Sequence, residues 1–433
     1  MRRYASKLAL IGLGIGAICL FIAAASCPGK KIELHTMIVD WNDATREAID
    51  KVIVPAFEKE NPNITVKVEY THWAGYMEKT TTAFQGGTSP DVFQGGAVWA
   101  AKVGEYGWAL PLDDFISKSP DFNWEDFFPV YREDCVIKGK IVGVPYRADV
   151  RPFLYRESLL KEAGVKPPDT WEELKEAAVK CTKRENGKIV QCGYNFFFLG
   201  ARGFQLHQAF LPFLYQGGGT ILNEEGTEAA INGPGGVGAL ELVNTLINDL
   251  KVCPTPVGME QIGGVTPIIL GKSAMISNSY SVLFGDMKKY NPDQYDDLMA
   301  KLPLKGPVKR ATHAWVNKFF ISSQSKHPEE GWKLLVHFLS PKYSEIYSEA
   351  FVCVPGRRSM IERPFFKGDQ KLGVALQSSE YAHTFPKKPY VFDMFKPIND
   401  GILATLYGYS SAQDALNQTA REINKLIKFH EKS

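Results

Sequence analysis

Large aromatic side chains follow several segments that the sequence predicts to be strands. They are Trp41, Trp73, Trp99, Tyr280 and Trp315. In an open α/β sheet, ligands bind outside the carboxyl ends of the strands. Aromatic rings pack well on the C–H faces of sugars, so this placement is typical of a carbohydrate site.

Polar side chains near the same places are candidates to bind the hydroxyl groups of such a ligand. They are Gln94, Asp149, Arg151, Gln205, His207, Asn278 and Arg357. A buried hydroxyl needs a hydrogen-bond partner, which these side chains can supply. For each of them the alternative is an ordinary surface hydrogen bond. For Trp41 the alternative is a wall residue covering a helix end, and for Trp73 a packing residue at a helix start.

Motifs for covalent chemistry are incomplete in this chain. The run 271–273 (GKS) has the end of a phosphate loop, but Thr266 stands where that loop needs its first glycine. SxxK occurs at 158–161 and 323–326 without the SDN and KTG that complete such a site. No HExxH and no zinc-type spacing of Cys and His occurs. We therefore expect a protein without catalysis, cofactor or metal; a secreted glycan-active enzyme is the alternative.

Alternating strands and helices must position these side chains. Segments 32–39 and 64–70 read as strands, and between them an amphipathic helix carries Ile49, Val52, Ile53, Ala56 and Phe57 on one stripe. Such a β-α-β opening implies a parallel sheet with a right-handed crossover. Further on, 170–173 (TWEE) is a capping box that starts a helix, and the last helix starts near Ser411.

Charge and length narrow the class of protein. The chain has 433 residues with 50 Lys+Arg against 48 Asp+Glu. Loss of Arg2, Arg3 and Lys7 with an N-terminal signal leaves 47 against 48. Near neutrality disfavours nucleic acid as a partner, because that affinity needs a basic surface. The length suits two large lobes or three small domains.

The first residues read as an export signal. Arg2, Arg3 and Lys7 precede an apolar run at 8–23, which is too short to span a bilayer as a helix. The following 24–27 (AASC) resembles the lipobox of bacterial lipoproteins, so we predict a signal over 1–26 and a lipid on Cys27. The alternative is ordinary cleavage near Ala25, with Cys27 unmodified.

Five cysteines remain in the mature chain beyond Cys27: Cys135, Cys181, Cys192, Cys253 and Cys353. Cys181 continues the apolar face of a predicted helix at the spacing i, i+7 from Leu174. Cys192 alternates with Tyr194 on the next predicted strand. We expect these two thiols to face one interior and to form a disulfide; two reduced, buried cysteines are the alternative.

An ordered series of segments resembles the extracellular solute-binding proteins of ABC importers, the class that includes maltose-binding protein. The segments are 56–66 (AFEKENPNITV), 87–93 (GTSPDVF), 138–146 (KGKIVGVPY), 154–159 (LYRESL), 168–171 (PDTW), 271–275 (GKSAM), 314–316 (AWV) and 328–332 (PEEGW). Their common order and spacing carry the resemblance.

The resemblance implies an α/β fold of the periplasmic-binding-protein type (type II), with two lobes that close over a ligand. We expect lobe one at 27–147 plus 308–353 and lobe two at 148–307 plus 354–433. The family pattern places Trp99 and Tyr280 near ligand-contacting loops and Phe395 in the last cleft loop. It implies a monomeric lipoprotein, periplasmic or at the cell surface and anchored to the membrane at Cys27, that delivers a neutral sugar to an ABC permease. A sensory binding protein for a membrane receptor is the alternative.

Overall fold

The structure is a computed structural model that describes residues 31–39, 42–196, 199–200, 203–204, 206–253, 267–277 and 280–432. The predicted signal over 1–26 and the predicted lipid on Cys27 lie outside these residues. So do Trp41, Gln205 and Asn278, and the side chain of Tyr280 is not described either. Within the described part of the chain, no helix is both long and apolar enough to cross a bilayer.

The strands alternate with helices along the chain. In order they are β1 Ile32–Val39, β2 Ile64–Thr71, β3 Val92–Gly95, β4 Val136–Ile137, β5 Lys140–Ile141, β6 Val144–Val150, β7 Phe153–Arg156, β8 Lys183–Glu185, β9 Lys188–Asn195, β10 Leu199–Gly200, β11 Gly203–Phe204, β12 Ser273–Ser277, β13 Leu298–Lys301, β14 Thr312–Ile321, β15 Val354–Pro355 and β16 Ala382–His383.

Two larger sheets organise these strands, as the predicted two-lobe α/β class requires. The first has the order β15-β6-β14-β3-β1-β2, with β16 paired to β14, and the second has the order β13-β7-β12-β9-β8. β1 is parallel to both β2 and β3, which confirms the predicted opening. The chain passes from the first sheet to the second after Val150 and back to the first between Lys301 and Thr312, and β15 and β16 also pair within the first sheet.

The helices cover the faces of both sheets. They are α1 Asp43–Ala48, α2 Val54–Glu60, α3 Tyr76–Gln85, α4 Trp99–Glu105, α5 Asp113–Ser117, α6 Pro129–Glu133, α7 Glu157–Glu162, α8 Trp171–Cys181, α9 Leu206–Gln216, α10 Pro234–Asn244, α11 Tyr280–Tyr290, α12 Pro328–Phe338, α13 Pro341–Phe351, α14 Pro364–Gly368, α15 Gln370–Gln377, α16 Val391–Leu406 and α17 Ala412–His430.

The first helical segment departs from the regular pattern that the sequence predicts. A π-helical turn at Ile49–Ile53 separates α1 from α2. Ile49, Ile53 and Phe57 are buried as predicted, whereas Val52 is 42% exposed. The wider π turn rotates the apolar stripe of the helix, so Val52, three residues after Ile49, turns toward solvent.

Two predicted helix starts are confirmed by their caps. The hydroxyl of Thr170 accepts a hydrogen bond from the N–H of Glu173 at 3.2 Å, and α8 begins at the next residue. Ser411 caps α17 in the same way, through the N–H of Asp414 at 3.1 Å. Each cap satisfies a backbone donor that the first helical turn cannot pair.

The predicted disulfide between Cys181 and Cys192 is absent, and both thiols are free and buried. Gln191 donates from Nε2 to the carbonyl of Cys181 at 2.8 Å, and a Cβ added at Gly193 would lie 1.8 Å from the carbonyl oxygen of Ala178. Residues 191 and 193 therefore face α8. Because strand side chains alternate, Cys192 points to the other face, away from Cys181.

Candidate functional site

The carboxyl ends of β1, β2 and β3 form one edge of the first sheet, and candidate residues gather there. Trp73 follows β2, and Gln94 and Trp99 lie at and just after the end of β3. β14 runs antiparallel to β3, with Lys318 opposite Gly95, so Trp315 lies just beyond the end of β3. On its other side Trp315 is opposite Asp149 of β6. The strand register thus brings together residues from distant parts of the chain.

Trp73, Tyr76 and Trp99, the β3-edge aromatic group, pack edge to face at this edge. Ring centroids are 5.4 Å apart for Trp73 and Tyr76 and 4.9 Å apart for Tyr76 and Trp99. Trp99 is only 4% exposed, while Trp73 is partly exposed. A Cβ added at Gly95 would lie 2.5 Å from the Phe320 ring and 2.9 Å from the Cβ of Trp99, so only glycine fits this turn.

Gln94 lies beneath this group and is fully buried. Its Oε1 accepts a hydrogen bond from the N–H of Val39 at 2.9 Å, and its Nε2 donates to the Tyr146 hydroxyl. The hydroxyl of Tyr76 donates to the backbone carbonyl of Gln94. Gln94 therefore joins β1, β3 and β6 instead of offering a free polar group to a ligand.

Arg357 also has a structural role that the sequence did not predict. Its Nε donates to the carbonyl of Leu339 at 2.9 Å, and its Nη2 donates to the carbonyl of Phe122 at 2.8 Å. Nη1 forms an ion pair with Asp126 at 3.3 Å, and the guanidinium lies over the ring of Phe127. Because these contacts occupy the guanidinium, we leave Arg357 out of the proposed site.

Six other residues form a second group, the polar-aromatic cluster, near the start of β14, where the chain enters the first sheet. They are Arg151, His207, His313, Trp315, Phe385 and Phe395. His207 stacks on Phe395, with ring centroids 4.1 Å apart. Trp315 contacts Phe385 at 4.6 Å and Phe395 at 6.1 Å. The cluster thus joins β14 of the first sheet to α9 and α16.

Arg151 is the charged member of this cluster and is buried. Its Nη1 donates to the carbonyl of Asp149 at 3.2 Å, and its Nη2 donates to Oε1 of Gln208. The Asp149 carboxylate lies 3.8 Å from Nη2 and balances the charge. The guanidinium Nε has no hydrogen-bond partner among the described residues.

His207 is held in one tautomer by Asn399. The Oδ1 of Asn399 accepts a hydrogen bond from the backbone N–H of His207 at 2.8 Å and lies 3.0 Å from Nδ1 of its ring. The backbone N–H of His207 can only donate, so the Asn399 atom that it contacts is the acceptor Oδ1. Because the same Oδ1 also lies next to the ring nitrogen Nδ1, Nδ1 must carry the ring proton and donate it to Oδ1. Burial, with Arg151 adding a smaller effect, lowers the pKa of His207 to about 4, so the ring is neutral near pH 7. Its Nε2 is therefore a hydrogen-bond acceptor.

Several buried polar atoms of the cluster lack partners within the described part of the chain. These are Arg151 Nε, His207 Nε2, Trp315 Nε1 and both ring nitrogens of His313. Burial, followed by the charge of Arg151, lowers the pKa of His313 well below its ordinary value. A buried polar atom without a partner costs about 1–3 kcal/mol, which a ligand or a water can recover by binding there.

A cavity of about 480 Å³ is lined in part by Phe385. Tyr215, Asn223, Glu224, His383 and Lys388 are among its lining residues. None of the residues that the sequence predicts for the site lines this cavity. The volume of this cavity falls in the range of small-ligand pockets. However, Nε2 of His383, which lines it, already lies 3.0 Å from Nζ of Lys309. We therefore place the candidate site at the polar-aromatic cluster.

The sequence missed three contributors to this cluster. His313 alternates with Trp315 along β14, and strand periodicity could have placed it on the same face. Asn399 lies one helical turn after Phe395, a spacing that also predicts a shared face. Phe385 lies between elements, and no pattern in the sequence marks it.

Comparison with known proteins identifies the family. The model of the bacterial extracellular solute-binding protein family matches residues 42–345, and the chain belongs to this family. A binding protein of Brucella abortus is 24% identical over 427 residues, which is 96% of this chain and 98% of that protein. The family consists of binding proteins, in line with the expectation of a protein that is not an enzyme, and its description places it outside the cytoplasm.

Solved structures share the fold. The sugar-binding protein MalE of Xanthomonas citri superposes with a TM-score of 0.82 at 20% identity, covering 92% of this chain and 98% of that chain. An ABC transporter solute-binding protein of Thermotoga lettingae bound with α-D-tagatose gives a TM-score of 0.74 at 23% identity, covering 92% of this chain and 100% of that chain. The two-lobe α/β architecture is thereby confirmed.

Proposed function

We propose that this protein binds a neutral carbohydrate at the polar-aromatic cluster and delivers it to an ABC transporter permease. The observation that carries the proposal is the set of unpaired, buried polar atoms beside closely packed aromatic rings at one sheet edge. Similar proteins include a sugar-binding protein and one bound with α-D-tagatose, which supports the same ligand class.

The chemistry of the unpaired atoms favours hydroxyl groups over anions. Arg151 Nε and Trp315 Nε1 are donors, whereas His207 Nε2 is an acceptor. A hydroxyl can accept from the first two and donate to the third. A carboxylate can only accept, so it would leave His207 Nε2 unpaired and would face the carboxylate of Asp149 nearby. A sugar or sugar alcohol satisfies both kinds of atom.

Aromatic surface supplies the apolar part of the site. Trp315 is partly exposed, and it contacts Phe385 and Phe395 at ring distances of 4.6 and 6.1 Å. A sugar placed against Trp315 would bury its C–H face while its hydroxyls reach the polar atoms of the cluster. Trp73, the partly exposed member of the β3-edge aromatic group, would form the rim on the other side.

Transport requires a change of shape that the permease can detect. The lobes would comprise 27–147 plus 308–353 and 148–307 plus 354–433, and they would close over the ligand. Within the last span, β15 and β16 still pair with strands of the first sheet. The mature protein would be a monomer held at the membrane by a lipid on Cys27. Replacing Cys27 with Ser should release it from the detergent phase on partitioning, and unchanged partitioning would contradict the anchor.

A ligand screen tests the proposal directly. The folded chain is heated with a panel of monosaccharides, oligosaccharides, sugar alcohols and their acidic derivatives, and the melting temperature is followed. We expect a neutral member to raise it, because binding only to the folded state stabilises that state. A shift with acidic members alone would overturn the hydroxyl argument, and a panel without any shift would contradict the carbohydrate class.

A further inference from the structure

Two buried cysteines, Cys192 and Cys253, lie close together at β9 of the second sheet. Cys192 lies in β9, and the N–H of Gly193 donates to the carbonyl of Val252 at 3.1 Å. This bond sets Cys253 beside the strand, close to Cys192 in β9. The sulfur of Cys253 also lies 4.0 Å from Oδ1 of Asn195.

The three other cysteines of the described chain have different surroundings. Cys181 is the last residue of α8 and packs in the core, on the opposite face of β9 from Cys192. Cys353 donates from its thiol to the hydroxyl of Ser348 at 3.8 Å. Cys135 is fully buried, beside the ion pair of Asp134 and Lys318. Among the described cysteines, Cys192 and Cys253 are the pair that a backbone hydrogen bond between adjoining residues holds together.

We propose that Cys192 and Cys253 form a disulfide in the exported protein. The family is extracellular, and disulfides form and persist outside the cytoplasm. One S–S bond replaces two S–H bonds, and the two electrons and two protons pass to the disulfide of an extracytoplasmic thiol–disulfide oxidoreductase, which becomes a dithiol. Because the backbone bond between Gly193 and Val252 holds the neighbouring Cys192 and Cys253 close together, side-chain rotation and a small approach would bring the sulfurs to about 2 Å.

The timing of the reaction follows from burial. Both cysteines are nearly inaccessible, at 5% and 2% exposure. Burial, together with the neighbouring Cys192, raises the pKa of Cys253 well above its ordinary value. The thiolate is the reactive form, so the folded dithiol is inert and the bond must form while the chain folds after export. The bond then fixes the end of β9, which precedes α9 and His207 in the chain.

The experiment maps thiols in the full chain exported from a bacterial host with its own N-terminal segment. The protein is denatured in iodoacetamide without reductant, digested and analysed by mass spectrometry. We expect one linked peptide pair containing Cys192 and Cys253, and alkylated Cys135, Cys181 and Cys353. Cys181→Ser should keep the link, whereas Cys253→Ser should leave Cys192 alkylated.

The wild-type protein alone decides the outcome, so a variant that fails to fold does not weaken the test. Alkylation of both Cys192 and Cys253 in exported wild type would overturn the proposal. A peptide linking Cys192 to Cys181 would overturn it equally. Protein retained in the cytoplasm should show Cys135, Cys181, Cys192, Cys253 and Cys353 all alkylated, since that compartment keeps thiols reduced.

Discussion

The β3-edge aromatic group and the polar-aromatic cluster lie at the same edge of the first sheet, but they differ in how their polar atoms are paired. Around Tyr76 and Gln94, hydrogen bonds join hydroxyl, amide and backbone groups within the first sheet and its helices. Around His207 and Trp315, buried donors and acceptors remain unpaired in the described chain. Residue type alone cannot separate core from ligand site; the pairing of buried polar atoms can.

The largest expected effect tests the two tryptophans against each other. Trp99 is buried in the core, and its replacement by Ala should cost about 3–5 kcal/mol of unfolding free energy. The unfolding free energy is measured by urea denaturation of the unliganded protein. A Trp99→Ala protein that keeps wild-type stability and loses affinity would place the ligand at the β3-edge group instead.

Trp315→Ala should have the opposite signature. Truncating a large aromatic at the centre of a binding site costs ~2 kcal/mol or more, roughly a thirtyfold loss of affinity. The unliganded melting temperature should fall less than in Trp99→Ala, because Trp315 is partly exposed. Titration calorimetry with the sugar found in the screen measures the affinity. Unchanged affinity would remove Trp315 from the site.

A matched pair of histidine variants isolates the unpaired acceptor. In His207→Asn, the side-chain amide can still donate to Oδ1 of Asn399, but no atom stands where Nε2 of the histidine was. In His207→Gln, the longer side chain places its amide oxygen, an acceptor, near the position of Nε2. We expect His207→Asn to weaken binding about tenfold and His207→Gln to retain most of the affinity. Equal affinities for the two variants would show that Nε2 does not contact the ligand.

Sequence patterns located most of the fold because the periodic segments are buried on one face. The β1-α-β2 opening, the Thr170 cap and the Ser411 cap all follow from local rules and match the structure. The prediction that Val52 is buried was wrong because a π-helical turn rotates the helix, and no residue type in the sequence predicts such a turn. The cysteine pairing failed because sequence spacing does not reveal which face of β9 meets α8.

The candidate site was less predictable than the fold, and for a different reason. The sequence proposed Trp315, Arg151 and His207 as ligand-binding candidates, but it proposed Gln94 and Arg357 in the same way. What separates them is whether buried partners already occupy the side chain, as they do for Gln94 and Arg357. Those partners come from elements distant in the chain, so only the folded arrangement reveals them.

Acid should destabilise the protein through the polar-aromatic cluster. The pKa of His207 is about 4 in the folded chain against 6.5 for an ordinary histidine, chiefly because of burial. Between these values the unfolded chain binds the proton first, so stability is complete above about pH 6.5 and falls as pH drops toward 4. The loss is at most about 1.4 kcal/mol per pH unit for this one residue. Urea denaturation at pH 7 and pH 5 measures it, and His207→Asn should show a smaller pH dependence.

The smallest expected effect on affinity comes from comparing two buried arginines. Arg357→Lys removes hydrogen bonds to the carbonyls of Leu339 and Phe122, so it should lower the melting temperature. Its affinity for the sugar should stay within about twofold of wild type, a difference of roughly 0.4 kcal/mol. Arg151→Lys loses the unpaired Nε donor and should bind about fivefold more weakly, roughly 1 kcal/mol. If Arg357→Lys weakened binding as much as Arg151→Lys, the guanidinium of Arg357 would have to contact the ligand although protein groups already occupy it. The pairing of buried polar atoms would then no longer distinguish core residues from ligand-binding residues.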